Sequence, residues 1–578
     1  MRAAELFAQS LKNEGVKYVF GVPGEETLDI VDAIAKAGIE FVLTQHEQAA
    51  AFMAATYGRL TGRAGVCLST LGPGALNLTT GLAFAALGGM PVVAVTAQSG
   101  IRDNWKREFQ RVDIVNHFKP IVKWNARIEN PNDVAYLTRK AFAIAEDQRP
   151  GVTHLEFPED VAAEVTEGEP LARIDIRRPI AEKKALLQAA ALLRKAKHPL
   201  ILVSHGAVRK RVADELKAFV EATGLYVTHT QMGKGTLSDD DLHSLLTLGI
   251  HSRDWVHCGI EYADLIITLG YHALEYSPAI WNNGRDKKII HIDFSPPMLD
   301  HFYNPDSAVV GDIATNLKML GERLVSPSPD FVSAQSPSPS GRGEGEGQWN
   351  TSYFASLRET LLKHLTPKPS DQFPLTPQTV LAAARQVLGR NDILVSDVGA
   401  HKIWVARAFP TYEYQTCLID NGLAAMGGGL PCAIATALVM SRRFGRDPDF
   451  TSGPERRVLL ITGDGGFLMN MHEMATAKRL GVKLAVLIWN DNGYGMIRWH
   501  AQKSGLTPVG VDFKNPDYVK LAESFGWQGY RVGNAQELPN ILEKAFSANA
   551  PALIDCPVDH NETVRVFTEE LKNIVCPI

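Results

Sequence analysis

Short apolar runs rich in Val, Ile and Leu alternate with longer amphipathic stretches along most of the chain, the mark of buried strands followed by helices. In the first segment the strand runs fall at 18–21, 40–44, 65–70, 91–96 and 154–157. After a charged, proline-bearing link near 165–185, the rhythm restarts with PLILVSHGA (199–207), LYVTHT (225–230), DLIITLGY (264–271) and KIIHIDF (288–294). A third unit begins near Thr376, with strands predicted at 392–397, 458–465, 483–491 and 551–559. Strands that alternate with helices imply βαβ units and mainly parallel, doubly wound α/β sheets. The expected division is an N-terminal domain over 1–165, a central α/β domain over 186–325, a linker over 326–375 and a C-terminal domain over 376–578. Within that linker, residues 326–348 are Ser-, Pro- and Gly-rich and nearly empty of large apolar groups, the composition of a disordered segment. Residues 442–455 read as an inserted surface loop.

The length of 578 residues agrees with about three or four domains, and 45% apolar with 21% charged residues describes an ordinary globular protein. The 59 basic and 64 acidic side chains leave a charge of −5, so no global field draws the chain to nucleic acid or an anionic membrane. Small molecules are the expected partners. The apolar stretch 81–97 is broken by Gly88, Gly89 and Pro91, which fits a buried helix running into a strand and not a membrane span. The opening MRAAELFAQSLKNEGV is amphipathic and has no apolar core of a secretory signal, so a cytoplasmic location is expected. Six cysteines are scattered without close pairs, so buried reduced thiols are expected, with neither zinc-ligand spacing nor a disulfide framework.

The sharpest chemical signal is in the third unit. Strand VLLIT ends in Gly463-Asp464-Gly465-Gly466, and strand LAVLIW ends in Asn490-Asp491-Asn492-Gly493. Two acidic groups, 27 positions apart, therefore terminate neighbouring predicted strands. Ligands bind at the carboxyl ends of parallel strands. Glycines there admit a phosphate, and carboxylate and carbonyl oxygens suit a hard cation such as Mg²⁺. Either motif alone also reads as a tight turn. In the first unit, the cluster Gln45-His46-Glu47-Gln48 opens an otherwise apolar helix, and Glu47 could serve merely as a capping or dipole partner. Leu71-Gly72-Pro73-Gly74 turns a buried strand into a helix expected to begin near Asn77. Met426 precedes a glycine run, and Tyr494, Met496, Ile497 and His500 follow the second acidic motif on a predicted helix, with Met496 and His500 on one face.

The GDG motif and the Asn-rich end at this spacing resemble the thiamine-diphosphate motif of the pyruvate decarboxylase and acetolactate synthase family. The resemblance implies that Asp464, Asp491 and the Gly493 carbonyl bind Mg²⁺. It also implies that Gly463, Gly465 and Gly466 line the diphosphate and that Tyr494, Gly495 and Met496 adjoin the cofactor. Most of the family has Asn where this chain has Asp491, so the site carries an extra negative charge, a variant that resembles the catabolic acetolactate synthases. The segment QHEQAA is similar to the one carrying the family's cofactor-activating glutamate, which assigns that role to Glu47. By the same resemblance Gly21, Pro23, Gly24, Thr70, Gly72, Pro73, Gly74 and Asn77 lie along the cofactor, Met426 props it into a bent shape, and Phe109 and Gln110 face the substrate. Met496, Ile497 and His500 are expected to roof the substrate pocket.

Further comparisons narrow the implied activity. The segment 270–313 is similar to catabolic acetolactate synthases, notably at Glu275-Tyr276-x-Pro278 and Trp281-Asn282. It lacks the Phe-Asp-Asp-Arg segment of the flavin-containing enzymes, so FAD is not expected. Aldehyde-releasing relatives use adjacent histidines, and no His-His dipeptide occurs here. Biosynthetic enzymes carry Trp at the place of His500. The resemblance thus implies an acetolactate synthase that decarboxylates one pyruvate and condenses the two-carbon remainder with a second. In the family, the glutamate and the metal loop of one site come from different subunits, so a homodimer is the minimum and a homotetramer is the expected assembly. The alternatives are another thiamine-diphosphate-dependent 2-oxo acid decarboxylase or carboligase, and a non-catalytic cofactor-binding regulatory protein.

Overall fold

The computed structural model describes residues 1–102, 108–174, 178–248, 254–325, 349–441, 455–571, 574 and 576. These residues form three six-stranded parallel sheets. The first contains β1 (Tyr18–Gly21), β2 (Glu40–Leu43), β3 (Gly65–Ser69), β4 (Val92–Gln98), β5 (Trp124–Arg127) and β6 (Val152–Pro158), in the order β2-β1-β3-β4-β6-β5. The second contains β7 (Pro199–Val203), β8 (Tyr226–His229), β9 (Ser244–Thr247), β10 (Leu265–Leu269), β11 (Lys288–Asp293) and β12 (Ser307–Val310), in the order β12-β11-β10-β7-β8-β9. The third contains β13 (Ile393–Ser396), β14 (Cys417–Leu418), β15 (Val458–Gly463), β16 (Ala485–Asn490), β17 (Gln528–Arg531) and β18 (Ala552–Pro557), in the order β14-β13-β15-β16-β18-β17. The first and third sheets are wound identically. The central one has the dinucleotide-fold order, with its reversal between β7 and β10.

Central strands are legible because both faces are covered: every residue of β4, VVAVTAQ, is buried. The first and third sheets meet through two helices, Glu47–Thr61 and Gly429–Met440, the second buried at every position. Close approach depends on small residues, since a Cβ on Gly428 would stand 3.2 Å from the Phe52 ring. Phe52 is itself wholly buried in the shared core, so truncating it to Ala would cost about 3–5 kcal/mol.

Two expectations are corrected. Cys258 and Cys576 form a disulfide, while Cys67, Cys417, Cys432 and Cys556 are free buried thiols. The pair is 318 positions apart, so only the fold, which brings their Cα atoms to 5.4 Å, reveals it. The turn after β3 enters its helix at Gly72 and not near Asn77, because Leu71 is extended and Pro73 occupies the first turn of the helix Gly72–Asn77. A second helix, Thr79–Leu87, follows it. The predicted linker over 326–348 and nearly all of the predicted insertion lie outside the described residues.

Candidate active site

The third sheet's carboxyl edge opens into a cavity of about 450 Å³. The parallel register sets Gly463, the last residue of β15, beside Trp489 in β16, so Asp464 and Asp491 leave neighbouring strands at the same edge. Both line the cavity with Gly463, Gly465, Gly466, Gly493, Tyr494 and Gly495. The turn is made possible by Asn492, which takes the left-handed conformation (φ 55°) that Asn tolerates. Met426, Met496, Ile497 and His500 reach the same cavity, the last three from the helix Gly495–Lys503. Ala424, also lining it, is held at φ 55° while its N–H donates to Asp420 Oδ2 at 2.9 Å.

The two aspartates are unequally compensated. Asp464 Oδ2 accepts from Asn515 Nδ2 at 2.7 Å and from the Gly493 N–H at 3.3 Å. Burial raises its pKa above the usual carboxylate value, and nearby Asp491 adds to the rise. Asp491 pairs with Arg498 at 3.0 Å, and burial still pushes it up to about 6. The arginine answers the extra charge expected at this position: it lies one helical segment on, and its guanidinium also holds Asp512 at 2.6 Å. Two crowded carboxylates beside the Gly493 carbonyl form an oxygen-only donor set that fits a hard cation completing its shell with phosphate oxygens. Among the described residues no cluster of three or more His, Cys, Asp or Glu side chains is placed to hold a metal alone.

A neighbouring stretch of the lining fits an anion. His401 sits in the first turn of the helix Ala400–Ala408, 2% exposed, with Nε2 buried and unpartnered, and it lines the cavity beside Gly399 and Gly463. Burial depresses its pKa to about 3, so the ring is neutral. Lys402 brings a buried ammonium to the same wall, where Nζ donates to Asn421 Oδ1 at 2.7 Å. A helix N-terminus, an orphaned imidazole nitrogen and glycine backbone match a diphosphate. His401, Lys402, Arg498 and Asn515 escaped the sequence reading. The tripeptide Gly399-Ala400-His401 at the end of a predicted strand could have signalled the first. Nothing local signals Asn515, which reaches Asp464 across 51 positions.

The N-terminal candidates gather elsewhere. Glu47 opens its helix at the edge of β2, 8% exposed, with His46 as N-cap through Nδ1 accepting from the Gln48 N–H. Asn77 Nδ2 donates to Glu47 Oε2 at 2.9 Å. A Cβ on Gly74 would lie 3.1 Å from Glu47 Oε1 and 2.9 Å from Thr70, and one on Gly24 would collide with Thr70. Gly21, buried, packs on Leu68, and Pro23 and Pro73 are exposed at the rim. Gln110 adopts φ 56° with its carbonyl over Gly72, and Phe109 beside it is 79% exposed. Within one chain none of these residues lines the cavity that holds Asp464 and Asp491. A further cavity of about 520 Å³, at the carboxyl ends of β7 and β10, contains none of the predicted site residues. Within the segment 270–313, which lines part of that cavity, the Tyr276 hydroxyl lies against His257 Nδ1 at 2.6 Å and Trp281 Nε1 donates to the Tyr271 hydroxyl at 3.0 Å.

Comparison with known proteins agrees with this geometry. Three family profiles match: "Thiamine pyrophosphate enzyme, N-terminal TPP binding domain" over residues 1–117, its central domain over 186–320 and its C-terminal TPP binding domain over 397–556. An acetolactate synthase of Bacillus subtilis is 32% identical, with 99% of this chain and 95% of that protein covered. A probable acetolactate synthase large subunit of Methanocaldococcus jannaschii is 31% identical (100% and 96% covered), and a catabolic acetolactate synthase of Raoultella terrigena is 31% identical (97% and 95%). The three wound sheets, the acidic pair at adjoining strand ends and these full-length likenesses establish that the chain belongs to the acetolactate synthase family of thiamine pyrophosphate enzymes.

Proposed function

We propose that the protein is a thiamine-diphosphate- and Mg²⁺-dependent acetolactate synthase that converts two pyruvates to 2-acetolactate and CO₂. The observation that carries the proposal is the pair of crowded carboxylates, Asp464 and Asp491, lining a cavity that also receives the unpartnered Nε2 of His401. Thiamine diphosphate, when bound, supplies the electron sink that lets a 2-oxo acid lose CO₂. In this proposal the residues 1–165 carry the pyrimidine side and 376–578 the diphosphate side, joined by the central domain and the 326–375 linker. Asp464, Asp491 and the Gly493 carbonyl hold the metal. His401 and the backbone of Gly463, Gly465 and Gly466 hold the diphosphate. Met426 and Met496 exclude water from the reacting centre, which favours loss of charge there. Glu47, its carboxylate oriented by Asn77, exchanges a proton with the aminopyrimidine ring. Phe109, Gln110, Ile497 and His500 bound the substrate space.

Glu47 and the metal loop would belong to different subunits in one site, making a homodimer the minimum and a homotetramer the proposed assembly. Phe109 at 79% and Ile497 at 55% exposure support this, being large apolar side chains in solvent on the single chain. Among the described residues no helix is long and apolar enough to cross a membrane. The cytoplasm is the proposed location, resting on the amphipathic opening segment, which lacks the apolar core of a secretory signal. FAD is left out of the proposal because the segment 270–313 lacks the flavin enzymes' pattern. Incubation with pyruvate, with and without thiamine diphosphate and Mg²⁺, should yield acetolactate only when both are present. Free aldehyde as the product would replace the synthase with a decarboxylase, and stoichiometric flavin absorbance would overturn the flavin-free part.

A further inference from the structure

Glu473 is buried completely, with relative exposure 0%, and its carboxylate has an unusual use. Oε1 accepts from the backbone N–H groups of Gln45 at 2.9 Å and His46 at 3.1 Å, and Oε2 accepts from Thr476 Oγ1 at 2.6 Å. Gln45 and His46 are the two residues immediately before Glu47, and His46 is the N-cap of the helix that Glu47 opens. The turn is pinned from the same side again by Arg479, which donates to the Leu43 carbonyl. Thr44 Oγ1 closes the turn on the His46 carbonyl at 3.1 Å. A buried carboxylate is costly unless strongly hydrogen-bonded, and here its bonds go to the backbone that carries another domain's functional acid. Glu473 also ends the segment that Asp464 begins: the helix Asp464–Asn470 runs directly into the turn Met471–Glu473.

We infer that Glu473 is a positioning residue for Glu47 of its own chain, fixing the helix entry so that the acid meets its target. This rests on the proposed function, in which Glu47 serves the cofactor held by the partner subunit. Each diphosphate-side domain would then bind one cofactor and aim the acid that serves the other, through a single stretch of chain from 464 to 473. The charge matters less than the acceptor: Gln at 473 keeps an oxygen for the two N–H groups, and Ala leaves them without one.

Glu473→Ala should lower turnover on the order of tenfold to a hundredfold, as misplacement of a reacting group does. Cofactor binding and KM for pyruvate should stay near wild type, and Glu473→Gln should recover to within a few-fold. Hybrid dimers purified through two different tags give the decisive readout. A Glu47→Gln chain paired with an Asp464→Ala chain tests the shared-site premise by itself: about half of wild-type activity supports it, and none overturns it. A chain carrying both Glu47→Gln and Glu473→Ala, paired with a wild-type chain, should then keep about half of the activity, because both lesions fall on one site. The two substitutions on opposite chains should leave little, because each site receives one lesion. The reverse pattern would show that Glu473 acts through its own diphosphate site, and equal activity in the two hybrids would show a general structural role. Either result overturns the inference.

Discussion

Glu47 and the Asp464–Asp491 pair are buried carboxylates at matching edges of two identically wound sheets, yet their surroundings differ. Glu47 stands alone, with the neutral Asn77 amide on one oxygen and an exposed rim of Pro23, Pro73 and Phe109. The aspartates crowd each other, and Asn515, the N–H groups of Gly465 and Gly493, and Arg498 relieve them. In the proposed function the first edge supplies the lone acid that serves the cofactor, and the second supplies the negative charge that a cation would complete. The largest effect should therefore follow from removing the proton site and leaving the anchor intact. Glu47→Gln should retain cofactor and Mg²⁺ but lose about 10²–10⁴-fold in turnover, the usual share of acid–base catalysis. Near wild-type rates in a steady-state assay would erase the distinction between the edges.

Asp464→Ala should do the converse, weakening cofactor retention in calorimetry by about a hundredfold or more, with Mg²⁺ chelation giving the same loss in wild type. Asn515→Ala leaves both carboxylates in place but removes the amide that orients Asp464. Supporting hydrogen bonds of this kind are worth about 10–100-fold in metal affinity, and the low end is expected because Gly493 still donates to the same oxygen. Cofactor uptake unchanged by Asn515→Ala would mean that Asp464 is oriented by backbone alone.

The contrast also explains what could be read from the chain. Central strands such as β4, β15 and β16 are mostly apolar because both faces are covered, and the ends of β15 and β16 carry the acidic motifs. The strands that escaped notice, β5, β9, β12, β14 and β17, all lie at sheet edges. There β5 (WNAR) is only half-buried, β17 (QGYR) has two exposed residues, and β14 is two residues long, so the apolar signal fades. The site divides in the same way. Residues that are motifs in sequence, Asp464, Asp491 and Glu47, could be found, whereas those that compensate them from afar could not. Asn515 and Glu473 are an ordinary loop amide and an ordinary helical acid until folding carries one to Asp464 and the other, across 427 positions, to His46.

Another buried carboxylate, in the central domain, sharpens the comparison because it lines neither edge. Glu275 accepts from the Met232 N–H at 2.5 Å and from Ser204 Oγ at 3.3 Å, and it is 4% exposed. Burial pushes its pKa up to about 7 from an ordinary 4.5. Below that ordinary value both the folded and the unfolded chain hold the proton. Between it and about 7 only the folded chain does, so stability contributed by this group is greatest at acid pH and is lost as pH rises through 7. The displacement is worth about 3 kcal/mol at most, less where Lys402 relieves the charge. Glu275→Gln should remove that slope, so urea midpoints measured from pH 5 to 8 would fall for wild type relative to the variant while turnover per folded molecule stays the same. Parallel stability profiles would place the ionised carboxylate comfortably in its pocket, and a turnover change would make Glu275 part of the catalytic apparatus after all.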